Sequence, residues 1–166
     1  MSKEDIFHYL YVKRSELFNM RFRALLLAKA VADIHRHVVR KRIQLVPLWS
    51  IQPIHGLDRD TALARLKERV ELLKQHKQAI IRMRNLTRRN LLDFLPSISG
   101  IKAIEDGNGG YISFDGNGRV EACKQVFTDN DKLRIEVEIY TVDDPRKILR
   151  RVRRVQQLNF GLKSGR

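Results

Sequence analysis

The run Asp115-Gly116-Asn117-Gly118-Arg119 holds the groups an oxyanion needs. Gly116 and Gly118 permit a tight reversal and let backbone N–H groups face outward with no β-carbon in the way. A helix is expected over 120–127, and its N-terminus adds unpaired amides and a partial positive charge. Arg119 brings a permanently charged, forked donor that suits phosphate oxygens. Asp115 and Glu121 flank the cradle and are the candidate catalytic carboxylates, able to hold a metal ion, orient a hydroxyl or pair with arginines. Asp-Gly and Asn-Gly are also ordinary turn sequences. The reading therefore rests on the position of the turn between a strand at 111–114 and that helix. Neither a GxxxxGK[ST] nor a GxGxxG pattern is present.

The elements that must hold this turn can be read from periodicity. Residues 1–42 read as an amphipathic helical extension: Phe18, Phe22, Leu25, Leu26, Ala30, Ile34 and Val38 recur at three- and four-residue steps, opposite Arg21, Arg23, Lys29, Arg36 and Arg40. Residues 43–51 shift to a strand pattern, with Pro47 implying an edge or a strand end. Pro53 and Gly56 break the chain, and Asp58 or Asp60 can cap the next element. That element is a long basic helix over 60–84 with a stripe of Leu63, Leu66, Val70 and Leu73. A shorter helix follows at 87–95, stopped before Pro96.

Residues 101–105 read as a strand, 106–110 as a hairpin turn rich in residues that tolerate positive φ, and 111–114 as the returning strand. Leu133 to Tyr140 alternates apolar and charged residues, a strand with one buried face. A last helix spans 143–160, with Asp143 and Asp144 suited to its cap, Pro145 to its first turn, and Ile148, Val152 and Val155 marking its buried side. Residues 159–166 read as a loose tail.

Composition bounds the function. The chain has 166 residues and a net charge of +14, from 33 Lys and Arg against 19 Asp and Glu. Such a charge attracts polyanions, and nucleic acid, anionic lipid and acidic protein all satisfy it. Cys123 is the only cysteine, which excludes a disulfide framework and CxxC metal ligands and makes a reducing, cytoplasmic setting the expectation. The five histidines are scattered, and His35 and His37 point to different faces of a helix. The N-terminus is mixed in charge and does not read as a secretory signal. Charges within 17–39 argue against a membrane span.

The stretch Tyr-Ile-Ser-Phe-Asp-Gly-Asn-Gly-Arg-Val-Glu-Ala-Cys-Lys, 111–124, resembles the signature of the ParB/sulfiredoxin-like superfamily, a turn of the kind G-E-R-R-x-x-A or D-G-N-H-R-x-x-A between a strand and a helix. Gly116, Asn117, Arg119 and Ala122 fall on that pattern. Val46 to Pro53 resembles the opening strand of the family, Asn90 to Gly100 its glycine-ended helix, and Leu133 to Val142 the strand after the motif helix.

The resemblance covers about 43–145 and implies an α+β domain: a small mixed sheet with surrounding helices, here with a helical insertion at 60–95, the N-terminal helical extension 1–42 and a basic C-terminal helix and tail, 146–166. It also implies a nucleoside di- or triphosphate, with Mg2+, held by Gly116, Asn117, Gly118 and Arg119, and so a nucleotide-dependent phosphotransferase, hydrolase or switch. Asn117 stands where sulfiredoxins place a catalytic cysteine, and Gly118 where a His or Arg usually precedes the motif arginine. The resemblance therefore extends to binding more than to catalysis, and not to sulfiredoxin activity.

Three further features carry alternatives. Lys147, Arg150, Arg151, Arg153 and Arg154 form a basic helix side that suits either solvent or a nucleic-acid backbone, and Arg82, Arg84, Arg88 and Arg89 form a second cluster. Residues 16–40 suit an anionic membrane surface or a partner. His55, after the first strand, could approach a nucleotide; Trp49 reads as core or pocket wall, and Cys123 as a buried small hydrophobe.

Overall fold

The computed structural model describes residues 3–57, 60–97 and 99–160. The expected cap at Asp58 and the tail beyond 160 lie outside them. Helix α1 (Lys3–His37) passes directly into strand β1 (Val38–Pro47). The extension therefore ends five residues earlier than its periodicity suggests, and 38–42 are extended. The reason is tertiary. β1 pairs antiparallel with β6 (Arg134–Val142) from Val38 opposite Val142 to Pro47 opposite Arg134, so the β-branched Val38 and Val39 and the charged 40–42 join a ladder whose partner lies about a hundred residues away. A bulge between Val38 and Arg40 leaves Val39 exposed.

The remaining strands are β2 (Ile51–Pro53), β3 (Asn85–Leu86), β4 (Lys102–Glu105) and β5 (Tyr111–Asp115). They form one mixed six-stranded sheet in the order β1-β6-β4-β5-β2, with β3 parallel to the start of β6. Pro47 is the last residue of an edge strand, where its missing N–H costs nothing. The hairpin β4–β5 turns through Gly107 and Gly109, both at positive φ. Its ends are closed by Asp106, whose N–H donates to the Gly110 carbonyl at 3.0 Å while its carboxylate accepts from the Asn108 and Gly110 amides.

Alternation along β6 divides the core. Ile135, Val137 and Ile139 face α2 (Asp60–Gln75), α3 (Lys77–Met83), α4 (Arg88–Phe94) and α5 (Asn117–Val126), where Leu66, Val70, Leu73, Ile80, Leu91, Val120 and Cys123 are buried. Tyr140 and, from the hairpin, Ile104, Ile112 and Phe114 face the other way, onto α1 and α6 (Pro145–Phe160). Burying each such aliphatic side chain contributes about 1.5–3 kcal/mol. Helix α6 buries the expected Ile148, Val152 and Val155, and Asp144 caps it by accepting from Lys147 N at 3.2 Å. Helix α4 is capped by Thr87, which accepts from Asn90 N.

Two expectations give way here. The basic helix over 60–84 is two helices, broken at His76, whose ring packs on Phe94. The second helix, α3, ends at the C-cap Arg84, whose left-handed φ of 60° turns the chain into β3. The stripe of α1 also splits: Ala30 and Ile34 are buried, whereas Phe18, at 69% exposure, Phe22 and Leu25 face solvent, because only the C-terminal part of α1 reaches α6 and the sheet. Among the described residues no helix is long and apolar enough to cross a membrane.

Candidate functional site

β5 ends at Asp115 and α5 begins at Asn117, so a single residue, Gly116, turns strand into helix. Asn117, Gly118 and Arg119 are therefore the first helical turn rather than a loop preceding a helix at 120. Gly116 makes this possible with φ 81°, a left-handed conformation at the N-cap. A β-carbon there would lie 2.9 Å from Arg119 Nη2 and 2.9 Å from Ile101 Cγ1. The Arg119 and Val120 amides bond back to the Gly116 carbonyl at 3.1 and 3.2 Å. The Asn117 and Gly118 amides precede the helical ladder and are of the kind that phosphate oxygens use at helix N-termini.

Asn117 is buried, and its Oδ1 accepts from the Ser113 hydroxyl, itself fully buried in β5. Its oxygen thus fastens the start of α5 to β5.

The turn opens onto a cleft of about 290 Å³ at the C-terminal ends of β2 and β5, which are parallel neighbours. Asp115 to Arg119 form its floor. His55 and Leu57, beyond β2, Arg69 from α2, and Ser97 and Ser99, beyond α4, complete the walls. The side chain of Arg69 lies against the α-carbon of Gly118, in space that any β-carbon there would need. His55 Nδ1 donates to the Gly56 carbonyl at 2.8 Å, which fixes the ring in the wall and leaves Nε2 free of that bond.

The electrostatics of the cleft centre on Arg119. Its residue is only 3% exposed. Among the described residues its guanidinium has neither a carboxylate partner within 4.0 Å nor a hydrogen-bond acceptor. Asp115 pairs instead with Lys102 at 3.6 Å. Burial pushes the proton affinity of the Arg119 guanidinium down; the nearby Asp115 charge opposes this, while Arg69 and Arg88 add to it. A desolvated cation with two like charges nearby, offset by an Asp115 that is itself paired with Lys102, gains from a bound anion.

Asp115 and His55 thus meet Gly116, Asn117, Gly118 and Arg119 at one cleft. Glu121 does not join them: it accepts from Gln125 Nε2 at 3.2 Å and lies near Lys124 on the flank of α5. The two candidate carboxylates therefore do not converge. Among the described residues no group of three or more His, Cys, Asp or Glu could hold a metal ion. Arg69 is a lining residue that the motif does not contain. Its one signal in the sequence is a charge between Leu66 and Val70, at the margin of the buried stripe of α2.

The two basic clusters do not combine, because α4 packs on one face of the sheet and α6 on the other. Within the cluster on α6, Arg151 pairs with the buried Asp33, and Arg153 Nη2 donates to the Asp106 carbonyl at 2.8 Å. Arg150 and Arg154 are exposed and Lys147 half-buried. Trp49, half-exposed, has the Lys124 ammonium 5.3 Å from its ring centre. No family model, curated protein or solved structure matches the chain.

Proposed function

We propose that the chain binds the phosphate group of an organic ligand at the Gly116–Arg119 turn, in the manner of a ParB/sulfiredoxin-like protein. A nucleoside di- or triphosphate with Mg2+ is the ligand this resemblance favours. The observation that carries the reading is the buried Arg119 guanidinium, which lines the cleft without an acidic partner beside Arg69 and the start of α5. A tetrahedral oxyanion there would meet the forked donors of two arginines, the first amides of α5 and the hydroxyls of Ser97 and Ser99. Asp115 is the one carboxylate among the described lining residues. A magnesium ion would accordingly arrive with the oxygens of the ligand rather than from a protein cage. This is a binding role, that of a ligand-gated switch or the binding half of a phosphotransfer site.

Calorimetric titration with ATP, CTP and ADP in the presence of Mg2+ tests the reading. Arg119→Ala should weaken binding about 10- to 100-fold, the value of charge-assisted hydrogen bonds of ~1.5–3 kcal/mol. Absence of binding by the wild type, or equal binding by the variant, removes it.

A second reading rests on the exposed Arg150 and Arg154 with Lys147 on α6: a non-enzymatic contact with a nucleic-acid backbone. It requires an affinity for DNA or RNA that falls steeply with salt and is reduced by replacing Arg150 and Arg154 together. Salt-insensitive binding would exclude it.

A further inference from the structure

A second cleft, of about 370 Å³, lies beside the phosphate cleft and shares His55 and Leu57 with it as a common wall. Its other walls come from elements that the sequence pattern sets outside the core domain or in an insertion: Ala24 and Leu27 of α1, Ala62 near the start of α2, and Asn159 near the end of α6. The character of the two clefts differs. The first is floored by a glycine turn, with two arginines and two serines around it. Among the described residues the second is lined mainly by the apolar Met20, Ala24, Leu27, Leu57 and Ala62, with polar side chains at Arg23, His55 and Asn159. Its volume falls in the ~300–1,000 Å³ range of small-molecule sites, which pair apolar walls with a few placed polar groups. Asn159 is held in place, since its Nδ2 donates to the Val155 carbonyl at 2.8 Å and leaves its oxygen as the free acceptor.

We infer that the second cleft is the subsite for the organic body of the phosphorylated ligand, so that α1 forms a wall of the binding site. This rests on the phosphate-binding reading of the first cleft. The ligand class is a nucleoside phosphate, whose base lays its flat faces on the apolar walls and turns its polar edge to Arg23, His55 and Asn159. The phosphate sits over Gly116 to Arg119, and the body crosses the His55–Leu57 wall to lie between α1 and α2. The wall on the α1 side comes from the turns of that helix just before Ala30, where its burial begins. Ligand binding therefore adds contacts to turns of α1 that otherwise pack on the core through Leu26 and Leu27. A bare polyphosphate, which fills only the first cleft, leaves those turns unchanged.

The experiment compares inorganic tripolyphosphate with ATP, CTP, GTP and UTP on the full chain, for wild type, Ala24→Trp and Ala62→Trp. Ala24 is exposed on α1 and Ala62 half-exposed on α2, so an indole at either position fills the second cleft from one side. The expected result is that at least one nucleoside triphosphate binds the wild type tenfold or more tighter than tripolyphosphate. Both variants should lose that advantage and keep tripolyphosphate affinity within about twofold.

Amide exchange supplies a second measurement that needs no variant: the tighter-binding nucleotide slows exchange over 20–27, and tripolyphosphate does not. Equal binding of tripolyphosphate and all four nucleotides by the wild type overturns the subsite and leaves the phosphate cleft standing. So does retention of the nucleotide advantage in both variants, loss of tripolyphosphate binding in both, or unchanged exchange over 20–27. Failure of the wild type to bind tripolyphosphate or any nucleotide overturns the phosphate cleft itself.

Discussion

Nη2 of Arg119 lies over the α-carbon of Gly116, so close that a β-carbon at 116 would sit 2.9 Å from it. The two residues are mutually dependent. The left-handed glycine turns β5 into α5 in one step, and the missing side chain is the space in which the guanidinium reaches the cleft.

Gly116→Ala should accordingly cost more than the backbone alone. Positive φ strains a non-glycine residue by about 1–3 kcal/mol, and the new methyl must also displace Arg119 and Ile101. Gly109→Ala is the matched control, since Gly109 has φ 84° and a methyl group there would meet nothing within 4 Å. Urea denaturation should show the Gly116 variant clearly less stable than the Gly109 variant, and only the former should lose phosphate affinity.

Arg119→Leu should separate stability from binding. Removing a buried cation that has no acidic partner relieves a desolvation cost, and apolar replacements of buried charges are often neutral or stabilising. The expected outcome is a melting temperature equal to or above that of the wild type, together with loss of nucleotide and tripolyphosphate binding. A large drop in stability would mean that the guanidinium holds the fold rather than a ligand.

Arg151→Ala should behave in the opposite sense. Asp33 has a side chain only 4% exposed and pairs with Arg151; its other cation, Arg36, is largely exposed and lies 3.7 Å away. Removing Arg151 leaves a carboxylate poorly compensated between α1 and α6, at an expected cost of about 2–3 kcal/mol. Lys132→Ala, at the exposed pair with Asp129, should cost less than about 1 kcal/mol. Chemical denaturation of both variants checks the contrast, which also makes Arg150 and Arg154 the cleaner pair for nucleic-acid tests.

Cys123 should react only through unfolding. Its thiol is fully buried, and burial pushes its pKa from 9.0 up to about 12, against a smaller opposing effect of Arg119. Iodoacetamide at pH 8 should label the native chain far more slowly than the chain in urea. The raised folded value also sets a sign. The contribution of the neutral thiol to stability is fully present below pH 9 and is lost as pH rises from there toward 12. Denaturation midpoints should fall over that interval, and Cys123→Ala should flatten the fall.

The sequence by itself determined the local features. Alternation over 133–140, the glycines at 107 and 109, the cap at Asp144 and the stripe Ile148, Val152 and Val155 each follow from interactions within a few residues, and each lies where periodicity and turn chemistry put it. The glycine turn before α5 was legible for the same reason, because positive φ and a helix N-terminus are local properties.

What only the tertiary structure decided depends on partners far along the chain. β6 draws 38–42 out of a helical pattern, and packing of α1 on α6 buries Ala30 and Ile34 but leaves Phe18 and Phe22 in solvent. Arg69 and Arg119, fifty residues apart, meet at one cleft because α2 packs against α5, while Glu121, two residues from Arg119, is carried to the flank by the helical rotation of about 100° per residue. Spacing along the chain limits which side chains share a face of one element. Which faces of different elements meet is settled by the burial of both sides of the sheet, and the candidate site is a product of that second choice.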